Sequence, residues 1–244
     1  MSDPALLALT WRVTRRRFVS SPLAIVAGLA FPVFIAWIGL RDSYEAAAKF
    51  FFFLLPYVFL IAAQDMVRSD LDSGALESVL FLGGRFRGYL EAKSRVLGAA
   101  AAVYAAALFF LFAAWGIVSG GFRADFAVRF GLGLLAGVYY LALAGVLSHF
   151  LRAGSNVLAL LLVQAGALIG LIFSTTPRTG LLNYMASGRF PGLGPKLIFG
   201  SLVAIVPNVI VSGRLPLYAA EVLALLGLAL AAQKRLRARL EIRK

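Results

Sequence analysis

Residues Gln64–Lys93 read QDMVRSDLDSGALESVLFLGGRFRGYLEAK, the only long polar, charge-mixed segment of a chain that is otherwise mostly apolar. Phe50–Met66 and Val96–Val118 flank it, each near the roughly 20 residues that cross a hydrocarbon core of about 30 Å. Within the segment, Asp70, Asp72 and Ser73 read as the cap and first turn of a short helix, their acidic groups at the positive end of its dipole. Leu76, Val79 and Leu80 recur at i, i+3, i+4 and give that helix one narrow apolar face. Gly83-Gly84 ends it, and Arg85–Lys93 leads into the next apolar run. A short amphipathic helix held between two membrane spans is a surface suited to a partner.

The rest of the chain agrees with a membrane setting. Its 244 residues are 61% hydrophobic and its mean hydropathy is +0.88, where soluble domains are about half apolar. This composition reads as one polytopic, all-α membrane domain over residues 1–244. The net charge of +13 sits between and beyond the apolar runs, not as a stripe interleaved with aromatics, and so argues for membrane orientation and against nucleic acid. With no cysteine and a single histidine, His149, neither disulfides nor a thiolate or His-cluster metal site is expected.

In chain order, Pro4–Ser21 mixes Leu6, Leu7, Trp11 and Phe18 with Arg12, Arg15, Arg16 and Arg17, which suits an amphipathic elbow helix in the headgroup layer. Its TRRRFVS run resembles a twin-arginine signal, but no small-residue cleavage site follows, so an uncleaved elbow is expected. Six spans follow: Pro22–Leu40, Phe50–Met66, Val96–Val118, Phe130–Leu147, Val157–Phe173 and Leu215–Ala232. Pro32 and Pro56 are expected to kink the first two. Leu197–Val211, interrupted by Pro207-Asn208, reads as a re-entrant segment within an extracytoplasmic cap over Ser174–Arg214. Placing both termini in the cytoplasm divides the 24 Lys and Arg residues sixteen inside to eight outside, as the positive-inside rule asks.

The chain has no phosphate-binding GxxxxGK[ST] loop, no HExxH and no Gly-x-Ser-x-Gly elbow, so it carries no nucleotide or hydrolase chemistry by those routes. Asp70 and Asp72 read as caps in a solvated loop, not as a catalytic pair. Polar groups at membrane depth are the candidates for a pathway: Asp65 at the cytoplasmic end of span two, Gln164 in span five and Glu221 in span six. Their competing role is packing, with Asp65 bonded to neighbouring Arg68. Tyr139-Tyr140 read as packing.

Asp72-Ser73-Gly74-Ala75-Leu76-Glu77-Ser78-Val79-Leu80, followed by Arg85 and then Lys93, resembles the signature between spans two and three of type-2 ABC exporter permeases. The elbow helix, six spans and re-entrant segment match that family too. Gly83-Gly84 stands where the family carries a proline-containing turn. The resemblance implies the membrane half of an ATP-driven exporter in the cytoplasmic membrane, with two copies of a separate ABC ATPase docked below. ATP and Mg would be held by that partner, none by this chain. It implies a second permease copy, identical or related, and a coupling helix that docks the ATPase through Asp72, Ser73, Gly74, Leu76, Glu77 and Leu80. It also implies that spans two and five line the dimer seam, which makes Gln164 a pathway residue.

The apolar, aromatic-rich interior suits a hydrophobic or amphipathic cargo such as a lipid, lipid-linked glycan, drug or haem. The alternatives are a stand-alone secondary transporter, which asks for inverted repeats and midplane charges, and a membrane-embedded lipid-modifying enzyme, which asks for converging acids or metal ligands. The sequence offers neither set.

Overall fold

The computed structural model describes residues 7–8, 10–12, 14–15, 22–63, 66–67, 70, 74, 86–151, 155, 158–163, 165–166 and 215–242. Among these there is no strand, and five long helices carry the fold: α1 (Pro22–Arg41), α2 (Tyr44–Ala62), α3 (Phe86–Val118), α4 (Asp125–Leu147) and α5 (Leu215–Ile242). Three of them, α2, α3 and α4, are long and apolar enough to cross a membrane. The chain therefore has the character of a membrane-embedded protein.

Local chemistry sets the helix ends. Ser43, in extended backbone, accepts a hydrogen bond from the Ala46 amide at 3.1 Å and caps α2, so the helix opens at Tyr44, six residues ahead of the apolar run starting at Phe50. Glu45 in its first turn pairs with Lys49 at 3.4 Å. Arg41 closes α1, its guanidinium 5.4 Å from the Trp37 ring centroid. Both α1 and α2 continue through their prolines, Pro32 and Pro56. At 33 residues α3 is about 50 Å long, well beyond a hydrocarbon core. Its polar first ten residues, Phe86 to Arg95, therefore extend past the apolar stretch.

Side-chain pairings fix the directions of the helices. Leu55 lies against Gly133 and Phe59 against Gly137, so α2 and α4 run parallel. A Cβ at either glycine would overlap its partner, which is how small residues let two apolar helices approach. Leu141 lies against Gly98, and Phe109 stacks on Phe130 at 4.1 Å, so α3 runs antiparallel to α4. Tyr44 stacks on Phe112 at 4.5 Å and its hydroxyl donates to the Phe112 carbonyl at 3.1 Å, which makes α2 and α3 antiparallel. Tyr104 donates to the Gly28 carbonyl, and Trp115 covers Gly39, which sets α1 parallel to α3.

Two ends result. One gathers Gly39, Tyr44, Trp115 and Phe126 into an aromatic cluster. The other gathers the C-terminal ends of α2, α4 and α5 with the start of α3. Tyr139 and Tyr140, buried in α4, pack in the core between them.

Of the expected elbow, Leu7, Ala8, Thr10, Trp11, Arg12, Thr14 and Arg15 are helical, with Thr10 and Thr14 buried and Trp11, Arg12 and Arg15 exposed. Within the expected fifth span, 158–163 and 165–166 are helical. The expected re-entrant segment, Leu197–Val211, lies outside the described residues.

Candidate functional site

The polar end of the bundle begins where α2 stops. The Ala63 amide bonds back to the Phe59 and Leu60 carbonyls, Met66 N to Ala63 O at 3.1 Å, and Asp70 N to Val67 O at 3.1 Å. These short turns fold the chain back under the bundle, with Met66 and Val67 buried beneath it. Asp70 is thereby carried inward to 0% exposure. The reading of Asp70 as a cap in a solvated loop is corrected here: its carboxylate faces α3, not water.

On α3, Tyr89, Leu90, Lys93 and Leu97 form one buried face, following i, i+1, i+4, i+8. Lys93, 6% exposed, donates to Asp70 Oδ2 at 2.6 Å, and the Tyr89 hydroxyl donates to the same oxygen at 3.0 Å. A charge pair this deep is stable only with good geometry and extra hydrogen bonds, and both are present. It staples the two ends of the loop from residue 70 to residue 93.

Gly74 has φ +68°, outside the right-handed helical region. This is a second correction: a helix opening at Asp70–Ser73 cannot run unbroken through Gly74. A left-handed φ there favours glycine.

Beside the staple, α3 meets the end of α5. Arg87 Nε donates to Glu91 Oε1 at 2.9 Å, and Arg237 Nη1 lies 4.0 Å from the same oxygen. Arg237 Nη2 donates to Gln233 Oε1 at 3.0 Å, and Gln233 Nε2 donates to the Ala142 carbonyl on α4 at 3.1 Å. Gln233 thus ties α4 to α5 where Gly145 leaves room for its side chain. Burial pushes the Arg237 pKa down, yet a guanidinium stays charged at any working pH. His149, just past α4, is bonded through Nδ1 to the Gly145 carbonyl at 2.8 Å. Desolvation lowers its pKa, and the charge of Arg237 acts in the same direction.

Of the candidate residues, Gly74 and Glu221 are described; Asp65, Asp72, Ser73, Leu76, Glu77, Leu80 and Gln164 lie outside the described residues. Glu221 is half-buried in α5, within electrostatic reach of Tyr139 and Tyr218 at the α4–α5 seam. It stands twelve residues before Gln233, about 18 Å along the helix, so it does not join the polar end.

The sequence reading missed Lys93 as the partner of Asp70, and missed Gln233 and Arg237 altogether. One signal was present for Lys93: a cation at helical spacing among Tyr89, Leu90 and Leu97 implies a buried counter-charge. Among the described residues no three His, Cys, Asp or Glu side chains converge as metal ligands. Comparison of the sequence with protein-family models and with curated proteins gives no match.

Proposed function

We propose that this chain is the membrane-spanning subunit of an ATP-driven exporter of the type-2 ABC class. The observation that carries the reading is the Asp70–Lys93 staple, which closes the loop bearing the exporter-like segment onto two membrane-length helices. A loop that receives force from a partner must pass it to the spans without yielding. A buried ion pair bonded at 2.6 Å, with Tyr89 holding the same oxygen, resists shear far better than a solvated tether. Load on the loop then reaches α2 and α3 together, and the spans move as rigid bodies.

The partner in this reading is a pair of ABC ATPase subunits that hold ATP and Mg and dock on Asp72, Ser73, Gly74, Leu76, Glu77 and Leu80. A second permease copy, identical or related, completes the pathway. The polar end is cytoplasmic, because it concentrates Arg87, Lys93, Arg95, Lys234 and Arg237. Six spans agree with the helix directions: α4 ends at the polar end while α5 starts from the opposite one, which suits one further span between them. The cargo is hydrophobic or amphipathic, and Gln164 and Glu221 are candidates for its path.

The test is a pull-down of the tagged chain from its own membranes in mild detergent, with ATPase activity assayed. A stoichiometric ATP-binding subunit, lost on Glu77→Arg, is the expected result. The wild-type chain recovered alone, under conditions that keep a known transporter complex intact, would overturn the proposal.

A further inference from the structure

The cleft between α3 and the end of α5 encloses about 280 Å³ and has no part in the staple. Among the described residues, Arg87, Arg95, Lys234 and Arg237 line it, with Glu91 as the one carboxylate. Glu91 is already engaged by Arg87 and lies near Arg237, so cations outnumber carboxylates in the described lining. Arg95 and Lys234 are exposed at the rim. Arg237 is only 9% exposed, and its Nε–H is buried with no hydrogen-bond partner. A buried donor left without an acceptor costs free energy, and this one belongs to a side chain that lines the cleft.

Position narrows the chemistry of that acceptor. Arg95 directly precedes the apolar run of α3, and Leu230, which also lines the cleft, belongs to the apolar run of α5. The cleft therefore opens where hydrocarbon gives way to headgroups. Its volume is at the low end for ligand sites and suits a compact anion. Guanidinium and ammonium groups lining one cleft suit the oxygens of a phosphate, and basic pockets between helices at this depth suit anionic headgroups.

We propose that this cleft binds a phosphate group, supplied either by the headgroup of an anionic lipid or by soluble phosphate. The site needs only the membrane setting and holds whether or not an ATPase docks nearby. An occupant would bridge α3 and α5.

The test uses the full chain in nanodiscs of phosphatidylcholine doped with phosphatidylglycerol, with lipid retention read by native mass spectrometry and Tm by thermal unfolding. The variant Arg95→Gln/Lys234→Gln removes the two rim charges without touching Arg237 or Glu91. Phosphatidylglycerol affinity should fall about tenfold in it and return in Arg95→Lys/Lys234→Arg. Lys49→Gln/Arg123→Gln, which removes two exposed cations at the opposite end, should leave retention unchanged. A parallel titration of inorganic phosphate against chloride at matched ionic strength, in phosphatidylcholine alone, separates the sources. A saturable rise in Tm that the glutamine variant loses identifies soluble phosphate; no rise, with phosphatidylglycerol retained, identifies the lipid. Equal behaviour of wild type and Arg95→Gln/Lys234→Gln with both probes, or an equal loss in Lys49→Gln/Arg123→Gln, would overturn the site.

Discussion

Lys93 and Asp70, 23 residues apart in sequence, meet at 2.6 Å where the end of α2 folds back beneath α3. Neither has appreciable access to water. Removing one partner leaves a buried charge that the other no longer balances, which costs about 3–5 kcal/mol. Asp70→Ala and Lys93→Met should each lower stability by that order in detergent denaturation. The double variant Asp70→Leu/Lys93→Met should recover much of the loss, since no charge is then stranded. Strictly additive losses would mean that the two groups are not coupled.

The close approach of α2 and α4 makes a second prediction. Gly137→Leu forces a side chain into the Phe59 ring and should cost about 1–3 kcal/mol by overpacking. Gly131→Leu, six residues earlier and facing open space, should change stability little. Equal effects at both positions would argue against the parallel α2–α4 register.

How much of this was legible in the sequence follows from the range of each interaction. Apolar length and charge placement are local properties, so long apolar helices and a polar loop between two of them could be read directly. The Asp70–Lys93 pairing depends on how the chain folds back after Ala63, and no local pattern encodes that. Gln233 sits at the junction of an apolar run and a basic tail, where a polar residue looks unremarkable until Gly145 is found opposite it. Gly74, with φ +68°, breaks the right-handed helical run expected across it, and a glycine among polar residues does not by itself announce such a turn.

Acid sensitivity should trace to His149. Its pKa is lowered by burial, so below the ordinary value of about 6.5 the unfolded chain takes up a proton first. Stability is therefore full above about pH 6.5 and falls as pH drops toward the folded-state pKa, by at most about 1.4 kcal/mol per pH unit for one proton. His149→Gln should flatten Tm between pH 7 and the onset of carboxylate titration. An unchanged slope in that variant would assign the sensitivity elsewhere.

The two-ended arrangement can be tested by labelling, because the chain has no native cysteine to remove. Lys234 lies at the polar end beside the Arg87–Glu91 pair, and Ser119 follows α3 at the aromatic end. Both positions are exposed. With the basic end in the cytoplasm, a membrane-impermeant maleimide added to intact cells should modify Ser119→Cys and spare Lys234→Cys, and permeabilisation should make both reactive. Reversed labelling would keep the helix packing and invert the orientation, placing the staple and the phosphate cleft on the outer face, where no ATPase could reach them. Labelling of both from outside would contradict the antiparallel course of α3 and α5 itself, since one traversal of α3 separates Arg95 from Ser119 by about 36 Å.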